Sequence, residues 1–237
     1  MGKPLFYIPI ALLSALLILI MLPHQHRIGS VFPGQCKASP VSPASRSPIS
    51  PDRSYSYADL SKGKFLVAGR NITDPTFSET VVLLLDYNAQ GAVGLIINRP
   101  SEVRLSRVFP EIKGMERRSD TLSFGGPVGP NQMFLLIRSI GQPEGSQHVA
   151  KDIYVSGSKA VLQEMVDGNG TKKKFQVYAG YSGWAAQQLE REVARGDWYV
   201  MQADAESIFD KEPSEIWPEL FRRGSAKWVR AGMSREG

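Results

Sequence analysis

Three short apolar runs open the globular part of the chain: KFLVAG (64–69), ETVVLLLD (79–86) and GAVGLIIN (91–98). They are rich in Val, Ile and Leu and bounded by Asp, Asn and Gly, which predicts strands. The middle run is apolar without a break from Val81 to Leu85, the pattern of a strand covered on both faces. The link from Tyr87 to Gln90 is short enough for a hairpin. Further strands are predicted at 121–125, 132–138, 152–155, 174–180 and 197–203. Helical spacing is rarer. Val161, Leu162, Met165 and Val166 share one face of 158–167, with Ser158 as N-cap and Gly168 beyond the end. In 184–195, Ala185, Leu189 and Val193 recur every four residues, Glu190, Arg191, Glu192 and Arg195 cover the other face, and Gly196 ends the run. Shorter helices are predicted at 102–108 and 204–209, and one near 214–223 that Pro218 should disturb. Strands outnumber helices. The pattern therefore predicts an α/β (α+β) fold with a mixed, largely antiparallel sheet surrounded by helices.

A different pattern precedes this domain. From Leu5 to Leu22 the chain reads LFYIPIALLSALLILIML, uncharged and apolar apart from Pro9 and Ser14. Its length reaches the lower edge for spanning a bilayer. No small-x-small site follows closely, so an uncleaved single-pass anchor is favoured over a cleaved signal peptide. No lipobox precedes Cys36. Lys3 on one flank and Arg27 and Lys37 on the other leave the orientation near a tie. Residues 28–61 then carry Pro33, Pro40, Pro43, Pro48 and Pro51 among many serines. Such a stretch buries too little to offset its ordering entropy and reads as an extended linker. The predicted organisation is a membrane segment with its flanks at 1–27, a linker at 28–61 and a folded domain at 62–237.

Charge and residue chemistry narrow the function. The net charge of +5 comes from 28 basic and 23 acidic residues. Residues 1–60 hold 5 basic and 2 acidic residues, so the remainder has 23 against 21, or +2. A nearly balanced domain disfavours nucleic acid as a partner, which needs a concentrated basic face. The single cysteine, Cys36, excludes an internal disulfide. His24 and His26 flank the apolar run, and His148 falls in a Gly/Pro/Ser-containing loop (141–148), where it is expected to be solvated. That set cannot build a Ser-His-Asp, Cys-His or zinc site, so no catalytic group, metal or cofactor is expected. Gly125 to Pro130 lacks a Walker ending, and Gly168 to Lys174 follows a helix where a phosphate cradle would open one. The carboxylates Asp74, Asp86, Glu190 and Glu192 read as surface or capping groups, because nothing in their spacing brings a pair together.

Several separated segments together resemble the YqgE/AlgH family. They are Gly63 to Ala68, Asp74-Pro75-Thr76-Phe77, Thr80 to Leu84, Gly91 to Pro100, Gly125-Gly126-Pro127-Val128, Gly180-Tyr181-Ser182-Gly183-Trp184, Gln188-Leu189-Glu190, Trp198 and Ile208-Phe209-Asp210. In order and spacing they match the family over nearly all of 62–221. The resemblance implies a bifurcated sheet that includes a small closed barrel, and it implies no established reaction. The family name refers to a proposed regulator of alginate synthesis, and its members are usually small soluble cytoplasmic proteins. The domain is therefore expected on the cytoplasmic side, although the N-terminal segment and linker depart from the family pattern. So do Gln187, where many members have glycine, and Pro218.

The motif residues also have a direct physical reading. Asp74-Pro75 is a turn signal. Pro100 pushes Arg99 towards an extended backbone, which could aim its guanidinium at a carboxylate of the protein or of a ligand. Gly125-Gly126 suggests close backbone approach. Gly180, Gly183 and Trp184 read as a strand-to-helix junction with a packed, hydrogen-bonded indole. The candidate binding set is Asp74, Asn98, Arg99, Gly125, Gly126, Gly183, Trp184, Gln188 and Glu190, weighed against fold-defining turns and core. The expected function is a non-enzymatic binding or regulatory module displayed at a membrane, with a protein partner. The alternatives are an enzyme of unrecognised type using Arg99 with Asp74 or Glu190, and a transcriptional regulator contacting DNA, through Lys172 to Lys174.

Overall fold

A computed structural model describes residues 59–168 and 174–233. The predicted anchor from Leu5 to Leu22 and nearly all of the linker lie outside the described residues. Strands β1 (Lys64–Ala68), β2 (Val81–Asn88) and β3 (Gly91–Ile96) form an antiparallel meander. Their unbroken apolar runs follow from a sheet covered on both faces. Phe65, Val67, Val81, Leu83 and Leu85 enter one core, and Leu66, Ala68, Val82 and Leu84 enter another. The link between β2 and β3 is tighter than predicted: Asn88 pairs with Gly91, leaving Ala89 and Gln90 as a two-residue turn.

β3 passes the sheet on to β9 (Lys174–Ala185), the longest strand. The other half of β9 pairs with β6 (Val128–Arg138), which continues through β8 (Ile153–Ser156) to β7 (Gln147–Ala150). On the far side, β10 (Trp198–Gln202) pairs with β1. The order is β10-β1-β2-β3-β9-β6-β8-β7. A side branch leaves it, because β5 (Thr121–Phe124) runs parallel to β9 and carries β4 (Pro100–Arg104) on its outer edge. The sheet curls so that Gly63, just before β1, lies against Val149 and Ala150 of β7. The result is a curled, mostly antiparallel half-barrel with a few helices, in agreement with the predicted class.

The helices are α1 (Leu105–Val108), α2 (Lys159–Asp167), α3 (Gln188–Arg195), α4 (Ala205–Phe209) and α5 (Pro213–Met233), with a 3₁₀ turn at Met115–Arg117. α2 starts where its sequence predicts: the Ser158 side chain accepts from the Val161 N–H. α5 is not broken by Pro218. That residue is exposed, so the missing hydrogen bond falls on the solvent side, while Ile216 and Leu220 hold the helix to the core.

Other elements differ from the sequence reading. Pro100–Arg104 is a strand, and only 105–108 of the expected 102–108 helix forms. His148 lies in β7; it is exposed, with Nε2 3.0 Å from the Lys151 carbonyl oxygen. β9 runs on through Gly180, Gly183 and Trp184, so these are strand residues and not a junction, and Ala185 is exposed at its end. Pairing with β3 keeps this Gly-rich stretch extended where local propensity would end it.

Candidate functional site

The family-like motifs converge where the chain leaves β3 and the side branch begins. The loop at 69–80 arches over this corner. Asp74 folds it locally: its Oδ1 accepts from the Thr76 N–H at 2.7 Å, and its carbonyl accepts from the Phe77 and Ser78 N–H groups. Asn98 is buried and fastens the loop to β2. Its Oδ1 accepts from the Val81 N–H at 2.9 Å, and its Nδ2 donates to the Glu79 carbonyl at 3.0 Å. Arg99 is half-buried and donates from Nη2 to the Ser78 carbonyl at 2.6 Å. Its guanidinium thus meets a backbone carbonyl and not a carboxylate, and among the described residues Arg99 forms no ion pair.

Below the loop two backbones cross at glycines. A Cβ on Gly126 (φ +151°) would lie 2.2 Å from the Tyr181 carbonyl carbon, and one on Gly125 would lie 2.4 Å from the Gly180 oxygen. Only glycine permits this approach, which lets the segment after β5 lie across β9. Gly125 also accepts from the Ile96 N–H at 2.8 Å, tying the side branch to the main sheet. Gly183 sits in β9 opposite Val93.

The third part of the corner is aromatic. Trp184 and Trp198 are both buried, meet edge to face at 6.1 Å, and take the Phe77 ring from the loop against them. Both indole N–H groups donate to one oxygen, Oε2 of Glu192, at 2.8 and 2.9 Å. Gln188 donates to the other oxygen of Glu192 at 2.9 Å and accepts from the Ala185 N–H. Glu190 turns another way and accepts from the Tyr87 hydroxyl at 2.8 Å. Burial, then this hydrogen bond and the carboxylate charge, push the Tyr87 hydroxyl up to about 12.

Glu192 is the residue the sequence reading missed. Helical spacing placed it on the polar face of α3, yet its carboxylate turns inward to join two indoles and a glutamine. The available signal was the set itself: two tryptophans and a glutamate within fifteen residues offer donors and an acceptor that buried indoles require. The structure brings Asp74, Asn98 and Arg99 together around one loop, and Trp184 with Gln188 around Glu192. Glu190 serves a separate contact. Among the described residues no group of three or more His, Cys, Asp or Glu is placed to hold a metal. A cavity of about 20 Å³, lined by Phe109, Met133, Leu162 and Val177 among others, involves none of the candidate residues and is no larger than about one water.

These features define a class of protein, a curled half-barrel whose family motifs mark one corner of the sheet. Residues 65–228 match the AlgH-like DUF179 family, and the chain belongs to that family, whose reaction is unknown. A UPF0301 protein of Cupriavidus pinatubonensis is 38% identical over 163 residues, covering 67% of this chain and 85% of the relative. One from Chlorobaculum tepidum is 30% identical over 178 residues, covering 75% and 94%. The solution structure of the AlgH protein from Pseudomonas aeruginosa is similar with a TM-score of 0.56 at 31% identity, covering 80% of this chain and 93% of that one. A crystal structure of a Corynebacterium diphtheriae protein shares the fold at 21% identity, with a TM-score of 0.59 over 69% and 87% of the two chains. Among the described residues no helix is long and apolar enough to cross a membrane.

Proposed function

We propose that this protein is a non-enzymatic binding module, held at a membrane by the apolar run from Leu5 to Leu22 and extended from it by the linker. The domain faces the cytoplasm, as the family resemblance suggests, and its partner is a protein. One observation carries the reading. Most of the polar groups that an enzyme would need free where the family motifs meet are bonded within the fold: Asp74 Oδ1 in its turn, Asn98 on the 79–81 backbone, Gln188 and Glu192 on each other, and Glu192 on the indoles. Arg99 is the exception, because a guanidinium offers five N–H donors and the Ser78 carbonyl takes one. A planar, permanently charged group with donors to spare is suited to recognition of a partner's carboxylate.

Crosslinking in intact membranes, followed by identification of the captured protein, tests this. Arg99→Ala should lose the captured partner, while Arg99→Lys keeps the charge and retains part of the yield. Capture of the same partner at full yield by Arg99→Ala removes Arg99 from the site. Turnover of any substrate by the purified domain would replace the binding reading with an enzymatic one.

A further inference from the structure

The end of the domain that receives the N-terminal segment has a surface of its own. The chain enters the fold at Leu60, which is buried, and Gly63 then lies against Val149 and Ala150. Directly after Ala150 comes the turn Lys151-Asp152, and the Asp152 carbonyl accepts from the Ser139 N–H at 2.9 Å. Ile140 follows at the tip of the loop after β6. It is 94% exposed, against 42% and 38% for Val103 and Phe124, the other large apolar residues counted as exposed among those described. Behind it the backbone is open, since a Cβ on Gly141 would meet nothing within 4 Å. Lys62 and Lys151 are exposed on the same end; Glu144 in the Ile140 loop and Asp59 at the entry are its exposed acids. Arg138, Lys174, Asp152 and Asp210 nearby are already joined in ion pairs and add no free charge.

A single exposed apolar residue is ordinary on a protein surface. This one differs in being almost fully solvated and in following Ser139, which bonds to Asp152 two residues beyond the Ala150 that meets Gly63 where the tether arrives. Tethering by residues 23–58 raises the local concentration of bilayer at that end, so a contact too weak to hold a free protein becomes effective. Resting on the membrane-tether reading above, we infer that this end of the sheet, with Ile140 as an apolar tip and Lys62 and Lys151 beside it, docks on the surface of the bilayer that anchors the chain. The interfacial zone accepts an apolar side chain while lysines stay among the headgroups. Docking leaves the Arg99 corner available to a partner.

The test uses the full chain in lipid nanodiscs of phosphatidylcholine with phosphatidylserine. Cys36 is the only cysteine, so Cys36→Ser with Ile140→Cys accepts one environment-sensitive fluorophore, and Cys36→Ser with Val103→Cys is the comparison. The label at position 140 should be blue-shifted and lose its quenching by aqueous iodide, whereas the label at position 103 should remain solvent-like. Emission at 140 equal to that in detergent, or an equal shift at both positions, overturns the inference. In the unlabelled chain, Ile140→Asp should speed tryptic cleavage at Lys62 and Lys151 in nanodiscs; an unchanged rate also overturns it. Because Ile140 makes almost no packing contact, neither substitution threatens the fold. A chain that washes off the lipid at alkaline pH removes the tether, and this inference with it; a retained chain with a solvent-like label removes the docking alone.

Discussion

Replacing Glu192 by alanine should be among the most damaging single changes on α3, although it removes a half-exposed glutamate. The carboxylate accepts three side-chain hydrogen bonds, from Trp184, Trp198 and Gln188. Gln188 can turn to water. The indoles cannot, because both tryptophans are 3% exposed and their rings pack on each other and on Phe77. A buried donor left without a partner costs about 1–3 kcal/mol, so two of them set a loss of about 2–6 kcal/mol. That is a large part of the roughly 5–15 kcal/mol that holds a domain together. Glu190→Ala, two residues away, provides the internal control: it frees only the half-buried Tyr87 hydroxyl, which water can reach, and should cost less than about 1 kcal/mol. Glu192→Gln should fall between them, since one amide oxygen can serve both indoles while its NH₂ faces the Gln188 donor. Urea unfolding of the domain from Asp59 onward, followed by tryptophan fluorescence, measures all three. A loss below about 1 kcal/mol for Glu192→Ala would show that the indoles find other acceptors and would refute the argument.

Other changes have equally definite outcomes. Gln187 holds left-handed backbone (φ +61°), which costs a non-glycine residue about 1–2 kcal/mol, and glycine loses about 0.5–1 kcal/mol of that gain through its freer unfolded chain; Gln187→Gly should therefore raise the melting temperature, by a net of up to about 1.5 kcal/mol in stability. Gly126→Ala should cost about 3 kcal/mol or more, or prevent folding, because the new methyl group meets backbone atoms and not a movable side chain; soluble, stable protein would contradict the crossing. The hydrogen bond from Lys174, with that from Arg138, holds the Asp210 carboxyl below the usual carboxylate range despite partial desolvation. Its contribution is complete above that range and fades as the pH falls through the lowered value, so Asp210→Asn should narrow the stability gap to wild type on acidification, read from unfolding curves across pH. Tyr87 acts at the other extreme. Its stabilising neutral form persists above the ordinary tyrosine range and is lost as the pH rises to about 12, a loss that spectrophotometric titration would place and Tyr87→Phe would abolish.

The elements that local chemistry dictates were legible in the sequence. β1 to β3 follow from unbroken aliphatic runs, and α2 from its Ser158 cap. The Gly125-Gly126 approach follows from two adjacent residues without side chains. What the sequence obscured depends on distant partners. Residues 102–104 read locally as the start of a helix over 102–108, but pairing with β5 makes Pro100–Arg104 a strand. Gly180 to Trp184 contains two glycines and a serine, and only strands placed on either side keep it extended. Glu192 carries no local mark of burial, because its donors arrive from β9 and β10. Of the candidate residues, Asp74, Asn98 and Arg99 prove neighbours through the loop they secure, a relation that spacing along the chain does not encode.

β9 has a bearing on how the chain comes to be folded. It is the seam shared by β3, β5 and β6, yet it is synthesised after all three. A nascent chain that stops before Lys174 holds three strands with no common neighbour, and each presents an open edge to any other extended segment. The β1–β2–β3 meander, the β4–β5 pair and the β6–β8–β7 unit can each form during translation, but they cannot join into one sheet until residues 174–185 emerge, and the joining pairings span long stretches of sequence. The interval before that moment is when this protein is most exposed to mispairing. A C-terminal truncation that removes β9 should therefore yield aggregates and not a smaller folded unit, whereas one that ends after Ser225 retains every strand.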